Sequence, residues 1–104
     1  MIKEEYMLLR QGDVLIETVA EIPAGATRRA SSILAYGEAT GHAHRIEAPE
    51  RAEVFELNGQ LYLKVTDPTR LLHDEHLPID LPPGWYRVWQ QREYTPQEIR
   101  TIRD

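Results

Sequence analysis

The dipeptide Asn58-Gly59 constrains this chain more than any other two residues. Both residue types tolerate positive φ, which a two-residue type I′ turn requires at both central positions. The flanking segments, Glu53-Val54-Phe55-Glu56-Leu57 and Gln60-Leu61-Tyr62-Leu63-Lys64-Val65, then fold back on each other in one register. That register sets Phe55 opposite Tyr62 and Glu53 opposite Lys64 on one face, and Val54 opposite Leu63 on the other. An aromatic pair, an ion pair and an aliphatic pair thus fall into place together, each worth a few tenths of a kcal/mol to about 1. A slip of one residue would turn every side chain to the wrong face.

Other segments repeat the strand signal. Val14 to Val19 is rich in β-branched residues and stops at Ile22-Pro23-Ala24-Gly25; Ser32 to Tyr36 stops at Gly37, with a further stop at Gly41. Asp67-Pro68 closes the hairpin, Thr69 to Asp74 reads as a short strand, and Pro78, Pro82 and Pro83 then break the chain repeatedly. Pro83-Gly84 suits a type II turn leading into a strand from Trp85 to Tyr94. There Trp85, Arg87 and Trp89 share one face, and Tyr86, Val88, Arg92 and Tyr94 the other. Thr95-Pro96-Gln97-Glu98 has the capping-box pattern of a short helical turn. The expected architecture is mostly β: a small barrel or sandwich of about seven or eight short strands, one domain over residues 1–104.

Composition narrows the function. A chain of 104 residues without Cys has no disulfide framework, no thiolate zinc site and no Cys nucleophile. A reducing cytoplasm fits that usage. A domain of this size is often stabilised by self-association, so a homo-oligomer is expected. No apolar stretch approaches the ~20 residues of a membrane span, and Met1 to Glu5 is not a signal peptide. The net charge of −5 argues against a surface that coats nucleic acid broadly, but a local basic groove stays compatible with it.

All four histidines fall in two close pairs, His42-Ala43-His44 and His73-Asp74-Glu75-His76. On a strand, positions i and i+2 point the same way about 6.5–7 Å apart, so His42 and His44 can converge on one ion or substrate. Positions three apart, such as His73 and His76, converge only in a turn or loop. Glu47, Asp74 and Glu75 are carboxylates near enough in sequence to complete a metal shell or orient a ring nitrogen. Arg45 adjoins His44, although alternation turns it to the opposite face. Arg92 and Tyr94 join the site if the last strand lies beside the His42/His44 strand. Duller roles are the default elsewhere: Trp85 and Trp89 as core or interface aromatics, Arg28-Arg29 as a solvated strand end, Arg87 as cover for apolar surface.

Two resemblances rest on these strings. Gly37 to Ile46 (GEATGHAHRI), Leu81 to Val88 (LPPGWYRV) and Gln91 to Tyr94 (QREY) resemble a group of short uncharacterised bacterial and phage-type proteins, from about Gln11 onward. The likeness implies such a setting and no activity. His42-Ala43-His44 also resembles the first HxH element of the cupins, β-barrels that hold a metal. Glu47 stands early for that pattern, and no His comes after Pro82-Pro83-Gly84 where a second cupin motif would supply one.

Three functions compete. In the first, His42, His44 and one or both of His73 and His76 hold a divalent ion such as Zn, Mn, Ni or Fe, with Glu75 or Glu47 as general base. Hydrolysis of a small molecule is then the most economical reaction, and no organic cofactor is expected. In the second, one His of each pair acts as base and acid in metal-free RNA cleavage, with Arg45, Arg92 or Arg87 stabilising charge and Tyr94 holding substrate. The third is a non-catalytic module that self-assembles or binds a ligand. Four histidines exceed what acid–base chemistry needs, which places the metal reading first.

Overall fold

A computed structural model describes residues 6–36 and 43–91 of the chain. It contains strands β1 (Leu8–Gln11), β2 (Val14–Thr18), β3 (Thr27–Arg29), β4 (Ile33–Tyr36) and β5 (Ala43–Ile46). A single 3-10 turn, Pro49–Arg51, precedes β6 (Ala52–Leu57), β7 (Gln60–Val65), β8 (Thr69–Leu72), β9 (Ile79–Leu81) and β10 (Gly84–Gln90). All pairings are antiparallel. One sheet has the order β1-β2-β10-β7-β6-β3, the other β4-β5-β8-β9.

The fold is mostly β, as expected, and of the two expected forms it is the open one. Among the described residues neither sheet closes on itself: β1 and β3 edge the first, β4 and β9 the second. Their inner faces share one core, to which Val14, Ile16, Val54, Leu63, Tyr86 and Val88 come from the larger sheet and Leu34, Ile46, Leu71 and Leu81 from the smaller. Strand alternation produces that core. In β10, Tyr86 and Val88 are buried while Trp85 faces outward and Arg87 and Trp89 are half-buried. Tyr86 also donates its hydroxyl to the Pro82 carbonyl, 2.5 Å away, which anchors the start of that strand.

The hairpin has the expected register: Glu53 faces Lys64, Val54 faces Leu63 and Phe55 faces Tyr62. Asn58 and Gly59 have φ of 51° and 82°, the positive pair that a type I′ turn needs. Two details differ from the sequence reading. Ten strands are present among the described residues rather than seven or eight, because β1, β3 and β9 are short pieces held by ladder hydrogen bonds. β3 is exposed along its whole length, so no hydrophobic alternation marks it. Gly84 is the first residue of β10, paired with Val65 at φ 155°, and not the third residue of a type II turn, where φ lies near +80°. The expected helical turn at Thr95 to Glu98 lies outside the described residues, as do His42, Arg92 and Tyr94.

A Cβ built on Gly59 meets nothing within 4 Å, so substitution there tests backbone conformation alone. Gly59→Ala should lower stability by about 1–2 kcal/mol through its left-handed φ. Urea unfolding should show this as a lower midpoint with an unchanged slope.

Candidate histidine site

The site grows from a two-residue loop. β1 and β2 are joined by Gly12 and Asp13 alone, with Gln11 opposite Val14. Gly12 has φ +61° and Asp13 has no positive φ, the pattern of a type II′ hairpin with Gly at the first central position. This turn projects Gln11 and Asp13 toward the end of β5 that carries His44. On β5, His44 and Ile46 are buried and Arg45 between them is exposed.

Gln11 is 2% exposed and uses its whole amide. Its Nε2 donates to the carbonyls of Leu71, at 3.0 Å, and Leu77, at 2.9 Å. Leu71 lies on β8 just before the loop of residues 73–78 and Leu77 near the end of that loop, so one side chain braces both sides of the segment that carries His73 and His76. With both N–H groups directed at carbonyls, Oε1 is left as the acceptor. It lies 2.9 Å from His44 Nδ1, which therefore carries the proton and donates it. A neutral His44 then presents a bare Nε2.

The other rings close around it. His73 and His44 have centroids 4.2 Å apart, His73 and His76 4.8 Å, and His44 and His76 6.1 Å. The Glu75 backbone N–H donates to His73 Nδ1 at 3.0 Å, so neutral His73 carries its proton on Nε2. His76 rests its ring on the β1–β2 turn, where a Cβ added to Gly12 would stand 2.7 Å from Nε2. Asp13 completes the group: its Oδ1 lies 3.7 Å from His44 Nε2, while Oδ2 accepts from Gln90 Nε2 at 2.9 Å.

Burial dominates the electrostatics of His44. Desolvation at 2% exposure, aided by the neighbouring His73 and His76, lowers its pKa from 6.5 to about 4 against the opposing pull of Asp13. The ring is neutral at physiological pH.

The structure brings His44, His73 and His76 together. It separates other candidates from them. Arg45 points to the opposite face of β5. Glu47 forms an exposed two-pronged pair with Arg70, both contacts at 2.8 Å, and so is committed elsewhere. Glu75 touches the cluster through its backbone N–H, which bonds His73. Arg87 joins Glu17 at 2.6 Å and lies 4.5 Å over the Trp89 ring on the outer face of the larger sheet. Among the described residues, no three His, Asp or Glu side chains stand in the arrangement of a metal shell. Gln11, Gly12 and Asp13 were not among the sequence candidates. Their signal was the Gly-Asp loop between Leu8-Leu9-Arg10-Gln11 and Val14-Leu15-Ile16, a two-residue hairpin pattern.

Two consequences can be measured. Gln11→Leu strands the buried Leu71 carbonyl, the part-buried Leu77 carbonyl and a buried ring N–H, and should cost at least about 2 kcal/mol in urea unfolding. For pH, the unfolded histidine titrates near 6.5. His44 therefore contributes its full stability above that value and loses it as pH falls from about 6.5 toward 4, where the unfolded chain binds a proton that the folded one does not. In an NMR titration the His44 ring signals should stay at their neutral positions down to about pH 5.

No curated protein and no solved structure was found to match this chain. A family model does, over residues 10–91, a span that takes in Gln11, Gly12, Asp13 and all four histidines and stops short of Arg92 and Tyr94. The chain belongs to the family described as Domain of unknown function (DUF8820).

Proposed function

We propose that this protein is a small histidine-centred enzyme that works with a divalent metal ion, of hydrolytic type. The observation that supports this reading is the convergence of three imidazoles, from β5 and from the 73–78 loop, around a His44 held neutral by burial. A neutral imidazole with its Nδ1–H already donated is the form in which histidine binds metals, and the orienting acceptor is the kind that tunes such ligands. An ion at this site would supply Lewis acidity and an activated water near neutral pH. The protein would supply orientation, and His73 Nε2–H a hydrogen-bond donor toward a bound substrate. A small-molecule substrate fits the acidic chain better than a polyanion does.

One observation favours a second reading. His44 presents an unprotonated Nε2 and the His73 ring centroid lies 4.2 Å from its own, and metal-free acid–base cleavage of RNA uses two such neighbours, one neutral as base and one as imidazolium acid. Against it, Arg45 faces away, and a base held near pKa 4 is weak.

Metal content after purification without a His tag, paired with turnover of p-nitrophenyl acetate, bis(p-nitrophenyl) phosphate and a mixed-sequence RNA, separates the two. The metal reading expects activity lost in EDTA and restored by Zn2+ or Mn2+, with His44→Gln reducing metal content and rate together. Chelator-indifferent RNA cleavage leaving 2′,3′-cyclic phosphate, with a bell-shaped pH profile, would replace it with the second.

A further inference from the structure

We infer that the cation seat of this site lies between His44 Nε2 and Asp13 Oδ1, with Gln11 and Gln90 as its orienting residues and His73 as a non-ligating donor beside it. The inference rests on the reading that the cluster takes a metal ion, and it identifies which atoms hold that ion.

Consider the 3.7 Å separation of the two atoms. Both are acceptors. Gln11 has fixed the His44 proton on Nδ1, and Asp13 Oδ1 is a carboxylate oxygen whose partner oxygen already receives Gln90. A direct hydrogen bond would bring a nitrogen and an oxygen to about 2.7–3.2 Å. A bridging water donating to both would hold them at roughly 4.4 Å, given its two ~2.8 Å bonds and bent geometry. A tetrahedral divalent ion about 2.1 Å from each would hold them at roughly 3.4 Å. The observed gap is nearest the last, and a shift of about 0.3 Å, within the freedom of a half-buried Asp13 side chain, closes it.

The surroundings fit the same assignment. Each donor has a hydrogen-bond partner on its far atom: an amide oxygen on His44 Nδ1, an amide N–H on Asp13 Oδ2. Such partners fix ring tautomer and carboxylate angle for metal binding. They come from two further strands, β1 and β10, so four segments of chain converge on one pair of atoms. His73 plays another part. Ligation through its Nε2 would move the proton to Nδ1 and set it against the Glu75 N–H, at the cost of that hydrogen bond. One nitrogen and one oxygen donor suit borderline ions such as Zn2+, Mn2+ or Fe2+, and leave positions open for water and substrate.

The test is binding by the full chain, read by calorimetry with Zn2+ alone at pH 7 and independent of any activity. Wild type is expected to bind one ion. Asp13→Asn should weaken it at least about tenfold, Gln90→Leu by a similar factor, and His73→Gln by less than about twofold. Because Asp13→Asn perturbs a turn, the wild-type protein carries a parallel readout in long-range 1H–15N spectra. Zn2+ should shift His44 Nε2 while His73 keeps its Nε2 proton, and substoichiometric Mn2+ should broaden the Asp13 amide early. Zn2+ binding that is indifferent to Asp13→Asn, or that takes the proton from His73 Nε2, would overturn this seat and leave the metal reading standing. Absence of Zn2+ and Mn2+ binding by the wild-type chain would remove both.

Discussion

A single buried amide holds the two halves of this protein in register where they matter. The Gln11 side chain starts on the edge strand of the larger sheet, yet its bonds reach the Leu71 and Leu77 carbonyls and the His44 ring, on the side of the smaller one. The apolar core joins the same two sheets, but hydrophobic contact is non-directional and tolerates sliding. An amide that spends two donors and one acceptor on three fixed partners does not. A buried Gln left half-satisfied would cost about 1–3 kcal/mol for each missing bond, so its completeness makes the arrangement specific. Among the described residues, no buried side-chain nitrogen or oxygen lacks a partner.

The same bond network converts a structural feature into a chemical one. Because the amide can offer only its oxygen to His44, the imidazole tautomer is set by packing. The Glu75 N–H then sets the opposite tautomer on His73, whose ring centroid is 4.2 Å away. Two adjacent imidazoles with opposite proton positions form a polar, directional surface from residues that in isolation are interchangeable. Gly12 permits the third ring to approach, since any side chain there would crowd His76 Nε2 and would also strain a φ of +61°. Away from this end, the outer face of the larger sheet is tied by a separate set of contacts. Tyr6 and Arg87 both bond Glu17 and hold its carboxyl below the usual range, with the guanidinium lying over Trp89.

How much of this could be read from residues alone depended on range. The β6–β7 hairpin was legible to the individual pair, because the turn and both strands are contiguous in the chain and three cross-strand pairs had to agree. Alternation divided β10 into its two faces and turned Arg45 away from His44. The face that enters the core is that of Tyr86 and Val88, not that of Trp85 and Trp89, for which a core role was one expectation. The short strands β3 and β9 were not legible as strands, since ladder hydrogen bonds hold them and ladder bonds leave no composition signature; β1 was marked only by the Gly12-Asp13 turn that follows it. The His pairs pointed to a site, but the carboxylate that stands beside His44 is Asp13, and the sequence neighbour Glu47 lies elsewhere. Glu47 found a closer cation in Arg70, and proximity along a chain says little about proximity across a sandwich.

By itself, the sequence determined a Cys-free, mostly β domain, its central hairpin and register, and the grouping of histidines in two pairs. These depend on turn chemistry and on a side-chain period of two, both local properties. Only the tertiary structure decided that the sheets stay open, that Gln11, Gly12 and Asp13 belong with the histidines, and which ring nitrogen carries each proton. Those outcomes arise between segments 33 to 66 residues apart, as the Gln11 bonds to His44 and Leu77 show. Contacts of that span are selected by how two whole faces fit together, and no local pattern of residues encodes them.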